Sequence, residues 1–332
     1  MVFVNFEVVM AFGASKPAWL RTIASAFSGN ASALFVTLAG VGIVLLGRRD
    51  VILKRALLLL FVGYAWSVLW SGDILHYYAF YLAIGVLCMG LSARWLWLGA
   101  GLSIVGFVVL FESCDYGAGW QWLRLEYSTF WTLGGQARNL IFNGWHPLLP
   151  WLGFLFAGMA LAKGRINEPR RRRVALVASV VVYGAAWIAS HYLTQMEDTR
   201  PIRLQFSQWF AAPKHFWGMS SLPPGPLYML SAGAVAVFVI ALCLELTARP
   251  VVARLVRALV ITGQLALTFY LVHVLILFFL VMPLAEDGDL PPLEVSAWAA
   301  LGFGVFAIVF ANVWRRFFAR GPLEWVMRKL CG

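Results

Sequence analysis

Apolar stretches of about 18 residues recur along the whole chain, separated by short polar loops. A run of this length can cross the hydrocarbon of a bilayer as a helix. Only 12% of the 332 residues are charged, which is about half the share that a soluble domain carries. The runs do not alternate between polar and apolar residues, so a transmembrane β-barrel is not indicated. The pattern predicts an all-α, polytopic bundle of transmembrane helices that forms a single integral-membrane domain over residues 1–332.

The segment 143–173 shows this pattern most completely. It begins with a polar turn that contains His146, continues as an apolar run over 148–162, and ends in a basic cluster within 163–173. Lysine and arginine concentrate on the cytoplasmic side of membrane helices, so the basic end predicts the orientation of this helix.

About ten spans are predicted in the same way, and they cover residues 1–12, 31–46, 51–70, 79–91, 95–111, 148–162, 174–193, 226–246, 258–282 and 295–314. The basic loops and the basic C-terminal tail all lie in the cytoplasm if both termini are inside. The acidic loop 286–289 then lies outside, as does the long loop 112–145, for which we predict a short interfacial helix. The first span is short, which predicts a tilted helix or one that begins upstream of Met1. The expected location is the cell (inner or plasma) membrane.

The net charge of +11 does not indicate a nucleic-acid-binding protein. The lysine and arginine residues lie in the short loops between apolar runs, where membrane topology accounts for them. The cysteines are scattered without the spacing of a metal site, and they are Cys88, Cys114, Cys243 and Cys331. We therefore predict neither a structural disulfide nor a bound metal ion.

Ionisable side chains at the edge of an apolar run are costly to place there, so each is a candidate for function. Asp73, His76 and Tyr77 lie on one helix face if the fourth helix begins near Gly72. A carboxylate beside an imidazole fixes its tautomer, which suits a general base. The alternative is structural, with Asp73 as a helix N-cap and Tyr77 in an interfacial aromatic belt.

His146 is a second candidate, close to Asn143 and to two tryptophans on the predicted external side. Its alternative role is that of an interfacial histidine before Pro147, which favours the first turn of a helix.

His273 is a third candidate, since it shares a predicted helix face with Thr262 and Tyr270. The alternative role of His273 is that of a hydrogen-bonded packing residue.

Asn5 lies within the first apolar segment, where a buried amide can donate to an oxyanion or form a bond between helices.

Several stretches together resemble one known family. They are GDILHYY at 72–78, NGWHPLLPW at 143–151 followed by GM at 158–159, GQLALTFYL at 263–271, and GPLEW at 321–325. These motifs, in this order, are similar to those of the YeiB-like bacterial membrane family, which is related to the heparan-α-glucosaminide N-acetyltransferases. The start MVFVNF at 1–6 is similar to the end of the first helix of those acetyltransferases.

The resemblance implies a multi-pass transferase. Such an enzyme takes an acyl group, usually acetyl, from a cytoplasmic acyl-CoA and delivers it to an acceptor, typically a sugar, on the far side of the membrane. In this interpretation Asn5, Asp73, His76 and His146 form one pocket near the outer leaflet. His76 or His146 acts as the general base, Asp73 orients it, and Asn5 hydrogen-bonds the thioester oxygen.

The residues predicted to contact the substrate in that pocket are Tyr77, Asn143, Tyr270 and His273. Arg48 and Arg49 belong to a cytoplasmic basic cluster. Topology alone explains this cluster, and a sharper interpretation is that it holds the phosphates of the acyl-CoA co-substrate.

Two other functions fit the same polar residues. They can line the path of a transporter for a small solute or a lipid-linked molecule, although the sequence shows neither an inverted repeat nor a matching pair of broken helices. A non-catalytic membrane scaffold is the third hypothesis. The expected partners are membrane lipid and a small-molecule or glycan acceptor, with a homodimer as one possible assembly.

Overall fold

The structure is a computed structural model that describes residues 1–11, 24, 27–122, 125–195, 216–281 and 293–332. The described residues form two compact units. One joins Met1–Ser28 to Leu246–Gly332, and the other is Gly29–Glu245. The predicted all-α class is confirmed in both, apart from one short β-hairpin.

The α-helices in chain order are α1 (Val2–Ala11), α2 (Asn30–Leu46), α3 (Arg49–Ser67), α4 (Leu75–Leu87), α5 (Ala93–Ser113), α6 (Leu133–Arg138), α7 (Leu148–Lys163), α8 (Pro169–Leu193), α9 (Pro226–Thr247), α10 (Pro250–Leu255), α11 (Arg257–Gly263), α12 (Ala266–Ile276), α13 (Leu293–Phe317) and α14 (Pro322–Cys331). The hairpin pairs β1 (Trp120–Gln121) with β2 (Glu126–Tyr127) in antiparallel register.

The central helix of the larger unit is α7, which packs against both α2 and α5, while α3 pairs with α4. Almost all of α7 from Pro150 to Ala160 is buried. A helix that is apolar on every side belongs in the interior of a bundle, and this explains the uninterrupted apolar run over 148–162.

The crossing of α2 and α7 depends on two glycines. A Cβ atom at Gly40 would collide with the Leu155 carbonyl, and one at Gly158 would collide with the Thr37 carbonyl. Small residues let two helix backbones approach closely, which is the usual basis of tight helix packing in membranes.

Helix α8 lies at the periphery of the larger unit. Only Arg172, Ser179 and Ala186 are buried along it, and they recur every seven residues. The intervening residues are largely exposed and apolar, Val177 and Val181 among them. One narrow stripe therefore contacts the bundle, and the rest of the helix presents the surface expected to face lipid.

The smaller unit has its own apolar core, where α1 packs on α13, and α13 also contacts α11. Phe6 of α1 lies in this core together with Phe269 of α12 and Phe303 of α13.

Within the described ranges, four helices are long and apolar enough to cross a membrane, and the number rises to six if each of two bent helix pairs is one span. The predicted count of about ten spans and the location of both termini inside are not confirmed. The difference arises because several apolar helices are short. One of them is Asn30–Leu46, with 17 residues, and α1 has only 10.

Two bent helix pairs were not predicted from the sequence. The predicted ninth span 258–282 is interrupted between α11 and α12, and its two parts differ in direction by 73°. The prediction that Thr262 shares a helix face with Tyr270 and His273 is therefore wrong, because the break separates Thr262 from the other two. The second pair joins Leu133–Asn143 to Leu148–Lys163 at an angle of 50°.

Other predictions differ in detail. The loop 112–145 contains the predicted short helix, α6, and also the hairpin, which was not predicted. The basic C-terminal tail, for which no secondary structure was predicted, forms helix α14. The acidic loop 286–289 and most of the predicted loop 194–225 lie outside the described residues.

Candidate functional site

Asp73 and His76 meet at the start of α4, in the larger unit. The Asp73 Oδ2 atom accepts hydrogen bonds from the backbone N–H of Leu75 at 2.8 Å and of His76 at 3.2 Å. The same oxygen lies 3.2 Å from Nδ1 of the His76 ring. One oxygen therefore caps the helix, as the structural interpretation predicts, and also contacts the imidazole. The part of this pair in general-base catalysis stays a prediction.

This contact determines the tautomer of His76. A carboxylate oxygen can only accept a hydrogen bond, so Nδ1 carries the proton and Nε2 of the neutral ring carries the lone pair. His76 is 2% exposed, and its Nε2 has no hydrogen-bond partner among the described residues. A buried polar atom without a partner calls for an explanation, and a lone pair that awaits a substrate proton is one.

Aromatic rings surround the His76 imidazole. The Tyr77 ring centroid lies 3.9 Å away and the Tyr64 ring stacks at 5.4 Å, while Phe130 approaches edge-on at 5.9 Å. Ser67 Oγ lies 3.4 Å from Nδ1 and donates its own hydrogen bond to the Gly63 carbonyl. These contacts restrict the rotation of the ring.

Tyr77 connects His76 to the bent segment before α7. Its hydroxyl donates a hydrogen bond to the Asn139 side chain, and its ring lies 5.9 Å from that of His146. A Cβ atom at Gly144 would collide with the Tyr77 hydroxyl and with Asn139, so glycine is needed there. Residues Asn139–Asn143 form one turn of π-helix, a feature frequent at functional sites.

His146 lies at the break between this turn and α7. Its backbone carbonyl accepts a hydrogen bond of 2.6 Å from the Tyr81 hydroxyl, and its Nε2 lies 3.3 Å from Ser32 Oγ. Its Nδ1 is buried without a partner among the described residues, and its ring packs edge-on against Trp151 at 4.7 Å. The structure therefore places His146 beside Tyr77, the neighbour of His76 in the chain. A shared substrate pocket for these residues stays a prediction.

Asn143 has a structural part in this arrangement. Its Nδ2 donates to the carbonyls of Tyr116 at 2.9 Å and Ala118 at 2.8 Å, and its Oδ1 accepts from the Tyr127 hydroxyl at 3.0 Å. The side chain is completely buried. Burial raises the pKa of Tyr127, whose hydroxyl therefore keeps its proton for this bond. Asn143 thus ties the hairpin region to the bend before α7.

We expect Asn143→Ala to destabilise the larger unit by about 1–3 kcal/mol, because two carbonyls and a hydroxyl lose their partner. Thermal unfolding in detergent measures this loss. Asn167→Ala is the matched control, as Asn167 is exposed. Asn143 was predicted to contact the substrate. If that is its only role, the stability of N143A will be unchanged and KM alone will rise.

Asn5 and His273 meet in the smaller unit. Asn5 Nδ2 lies 2.8 Å from His273 Nε2, and His273 Nδ1 lies 3.1 Å from the Phe269 carbonyl. Nδ1 therefore carries the proton and donates to the carbonyl, while Nε2 accepts from the Asn5 amide. The ring of Tyr270 packs against that of His273 at 5.4 Å. This contact realises the alternative proposed for both residues, a hydrogen bond between helices.

Eight of the ten predicted site residues thus fall into two groups, one in each unit. Asp73, His76, Tyr77, Asn143 and His146 lie together in the larger unit. Asn5, Tyr270 and His273 lie together in the smaller unit. A single pocket that contains both groups stays a prediction.

Arg48 and Arg49 lie at the start of α3. The Arg48 guanidinium forms an exposed ion pair with Asp50, 3.1 Å long, and Arg49 is exposed. Hydrogen bonding to Arg48 lowers the pKa of Asp50. Their predicted contact with acyl-CoA phosphates stays a prediction.

Glu324 was not predicted as a key residue. Its carboxylate accepts hydrogen bonds from Thr268 N at 3.0 Å and from Thr268 Oγ1 at 2.6 Å. Thr268 Oγ1 also accepts a bond of 3.2 Å from Leu323 N. The motifs at 263–271 and 321–325 are therefore in contact, and Glu324 caps the first turn of α12 just after the break. In the sequence, the only indication of this contact was that both motifs belong to the set shared with the YeiB-like family.

We expect Glu324→Ala to lower the stability of the smaller unit by about 1–3 kcal/mol, since a backbone N–H and a hydroxyl lose a charged acceptor. Glu324→Gln retains a carbonyl acceptor and will lose less. Hydrogen exchange at the Thr268 amide measures the effect locally. Arg328→Ala, on the same helix, is the control, and equal exchange in E324A and R328A would contradict the capping role.

Comparison with known proteins adds to this geometry. Residues 1–195 match the model described as heparan-alpha-glucosaminide N-acetyltransferase, catalytic. The chain belongs to this family. The matched residues 1–195 include all four residues predicted to be catalytic, which are Asn5, Asp73, His76 and His146. The predicted relation to YeiB-like proteins is also confirmed.

A second match covers residues 219–332 and is described as a protein of unknown function, DUF418. It contains His273 and Glu324. The chain is 28% identical over 333 residues to an uncharacterized protein, YeiB, of Escherichia coli strain K12, and the match spans 90% of this chain and 80% of that protein. No solved structure matches the chain.

Proposed function

We propose that the chain is a membrane-embedded acyltransferase. It moves an acyl group, with acetyl as the first to test, from a cytoplasmic acyl-CoA to an amine or hydroxyl of an acceptor on the opposite side. The match to an acetyltransferase catalytic family supports the reaction class. The single observation that carries the proposal is the buried Nε2 of His76, which has no hydrogen-bond partner in the described part of the chain and whose tautomer is set by Asp73.

The proposed chemistry follows from that lone pair. His76 Nε2 removes a proton from the acceptor amine or hydroxyl as its N or O atom attacks the thioester carbonyl. The carbon–sulfur bond then breaks, and the imidazolium returns the proton to the departing CoA thiolate. The products are the acylated acceptor and CoA. Asp73 stabilises the positive charge that His76 acquires between these two steps.

The acceptor is proposed from the name of the family, which specifies an N-acetyltransferase that acts on a glucosaminide. An amino sugar is accordingly the first acceptor to examine. His146 is the second candidate for the base, because its buried Nδ1 also lacks a partner among the described residues. Arg48 and Arg49 are proposed to contact the phosphates of acyl-CoA.

We propose a multi-pass orientation in the cell membrane with the basic loops and both termini in the cytoplasm. The cluster at 163–173 then marks the cytoplasmic end of α7. His146, at the other end of this helix, lies toward the external side, where the acceptor is expected.

Purified protein tests the donor directly. Acetyl-CoA is expected to raise the thermal stability, because a ligand that binds only the folded state stabilises it. ATP shares the adenosine 5′-diphosphate part of CoA and lacks the thioester arm, so it serves as the control. Addition of glucosamine is then expected to release the CoA thiol. An absence of both binding and release would contradict the proposal.

A transporter is the second candidate, and the two bent helix pairs favour it. Broken membrane helices frequently border the substrate sites of transporters. A transporter would move labelled solute into proteoliposomes without consuming acetyl-CoA, whereas the acyltransferase consumes acetyl-CoA in proportion to the product formed.

A further inference from the structure

The larger unit contains an apolar groove of about 570 Å3 between α5, α7, α8 and α9. Its wall consists of small, aliphatic and aromatic side chains, together with Arg171 and Ser179. The Ser179 hydroxyl already donates a hydrogen bond of 2.8 Å to the Leu176 carbonyl. The interior therefore presents a surface suited to a hydrocarbon chain, not to a polar ligand.

The shape of the groove follows from small residues on its lining helices. Gly153, Ala157 and Ala160 recur every three or four residues along α7, so they form a continuous shallow face. Ala178 of α8 and Gly233 of α9 lie on the facing walls. From Gly153 to Gly164, which also lines the groove, α7 rises about 16 Å, enough for an extended alkyl chain.

The two ends of the groove differ in charge. At one end lies Arg171, in the first turn of α8 and exposed. Its Nε is 3.9 Å from Glu168, too far for a hydrogen bond, and Arg165 pairs with that carboxylate more closely at 3.0 Å. The neighbouring Arg172 is instead bound to Glu245 at 2.8 Å. Arg171 is thus the arginine whose guanidinium can serve a ligand at the mouth of the groove.

At the opposite end the lining includes Phe154 and Met229. Trp151 packs against Phe154 at 5.3 Å and against His146 at 4.7 Å, so it lies between the groove and the candidate active site. The groove is therefore separate from the residues around His76.

We propose that this groove holds one acyl chain of an anionic bilayer phospholipid, with the lipid phosphate bound to Arg171. A cation at the mouth of an apolar groove is complementary to an anionic head group joined to a hydrocarbon tail. The pantetheine arm of CoA fits poorly, because its amide groups would lose their hydrogen bonds within the apolar wall. In the proposed orientation Arg171 faces the cytoplasmic leaflet, which is rich in anionic lipids.

Native mass spectrometry of the purified full chain tests whether the groove binds the acyl chain of the lipid. The protein is delipidated and incubated with phosphatidylglycerol or with phosphatidylcholine of the same chains. Ala178→Trp fills the groove and is expected to lower phosphatidylglycerol binding at least about tenfold, since every buried methylene adds to affinity. Ala185→Trp is the matched control on the same helix, because Ala185 is exposed and does not line the groove. It is expected to bind as the wild type does.

Gly101→Leu is a second groove-filling variant, should Ala178→Trp fold poorly. A side chain at Gly101 would enter open space that borders the groove. If folded A178W or G101L binds phosphatidylglycerol as the wild type does, the acyl chain does not lie in the groove. Displacement of phosphatidylglycerol by acetyl-CoA would also overturn the proposal. That displacement would assign the groove to the donor instead.

The head-group contact is tested by Arg171→Gln. This variant is expected to lose the preference for phosphatidylglycerol over phosphatidylcholine while still binding a lipid. Arg170→Gln is the control, since Arg170 is exposed and does not line the groove. An unchanged preference in R171Q, or an equal loss in R170Q, would overturn the assignment of the phosphate to Arg171.

Discussion

His76→Gln will lower the rate of acyl transfer by about 10²–10⁴-fold, the range that general-base catalysis contributes. Glutamine keeps a polar side chain at this position but has no basic nitrogen, so it cannot accept the proton of the acceptor. His191→Gln is the matched control, because His191 is exposed and stacks on Trp187. CoA release with acetyl-CoA and glucosamine measures both. Activity of H76Q within about threefold of the wild type would eliminate His76 as the base.

Asp73→Asn separates the two functions of the carboxylate. Asparagine caps helices about as well as aspartate, so the start of α4 and the stability of the protein will be retained. The charge that stabilises the His76 imidazolium is removed, so kcat will fall while acetyl-CoA binding is unchanged. Loss of folded protein in D73N would show instead that the negative charge is required for folding.

Gly40→Ala will destabilise the larger unit by about 1–3 kcal/mol, the usual cost of adding a methyl group to a fully packed contact. The new Cβ would collide with the Leu155 carbonyl, a backbone atom that cannot move unless α2 and α7 separate. Because His146 lies just before α7, we expect activity to fall together with stability.

Gly42→Ala is the control for this substitution. It lies on the same helix, and a Cβ there meets no described atom within 4 Å. Alanine also has the higher helix propensity, so G42A will be neutral or slightly stabilising. Thermal unfolding in detergent compares the pair. Equal stability of G40A and G42A would show that the α2–α7 crossing is looser than described.

Local patterns in the sequence predicted the parts of the fold that depend on neighbouring residues. The predicted span 148–162 agrees with α7, which ends at Lys163. Length, hydrophobicity and the adjacent charges are sufficient to predict such a helix. The contact of Asp73 with His76 was likewise predicted, because a spacing of three residues at a helix start brings two side chains together.

Features that depend on distant residues were not predicted. The apolar pattern continues through the break between α11 and α12, so nothing local indicated the bend that Glu324 stabilises from another helix. The bonds of Asn143 to Tyr116 and Ala118 likewise depend on how the hairpin region folds back. The contact of Asn5 with His273 joins opposite ends of the chain. Periodicity can place each of these residues on a helix, but it cannot name the partner.

One measurement tests the central claim, that this chain transfers an acyl group. Proteoliposomes that contain the purified full chain are supplied with acetyl-CoA labelled in the acetyl group and with glucosamine as acceptor. We predict labelled N-acetylglucosamine and an equal amount of released CoA, both reduced by about 10²–10⁴-fold in H76Q. Movement of glucosamine without CoA release, or equal labelling by wild type and H76Q, would contradict the proposed mechanism.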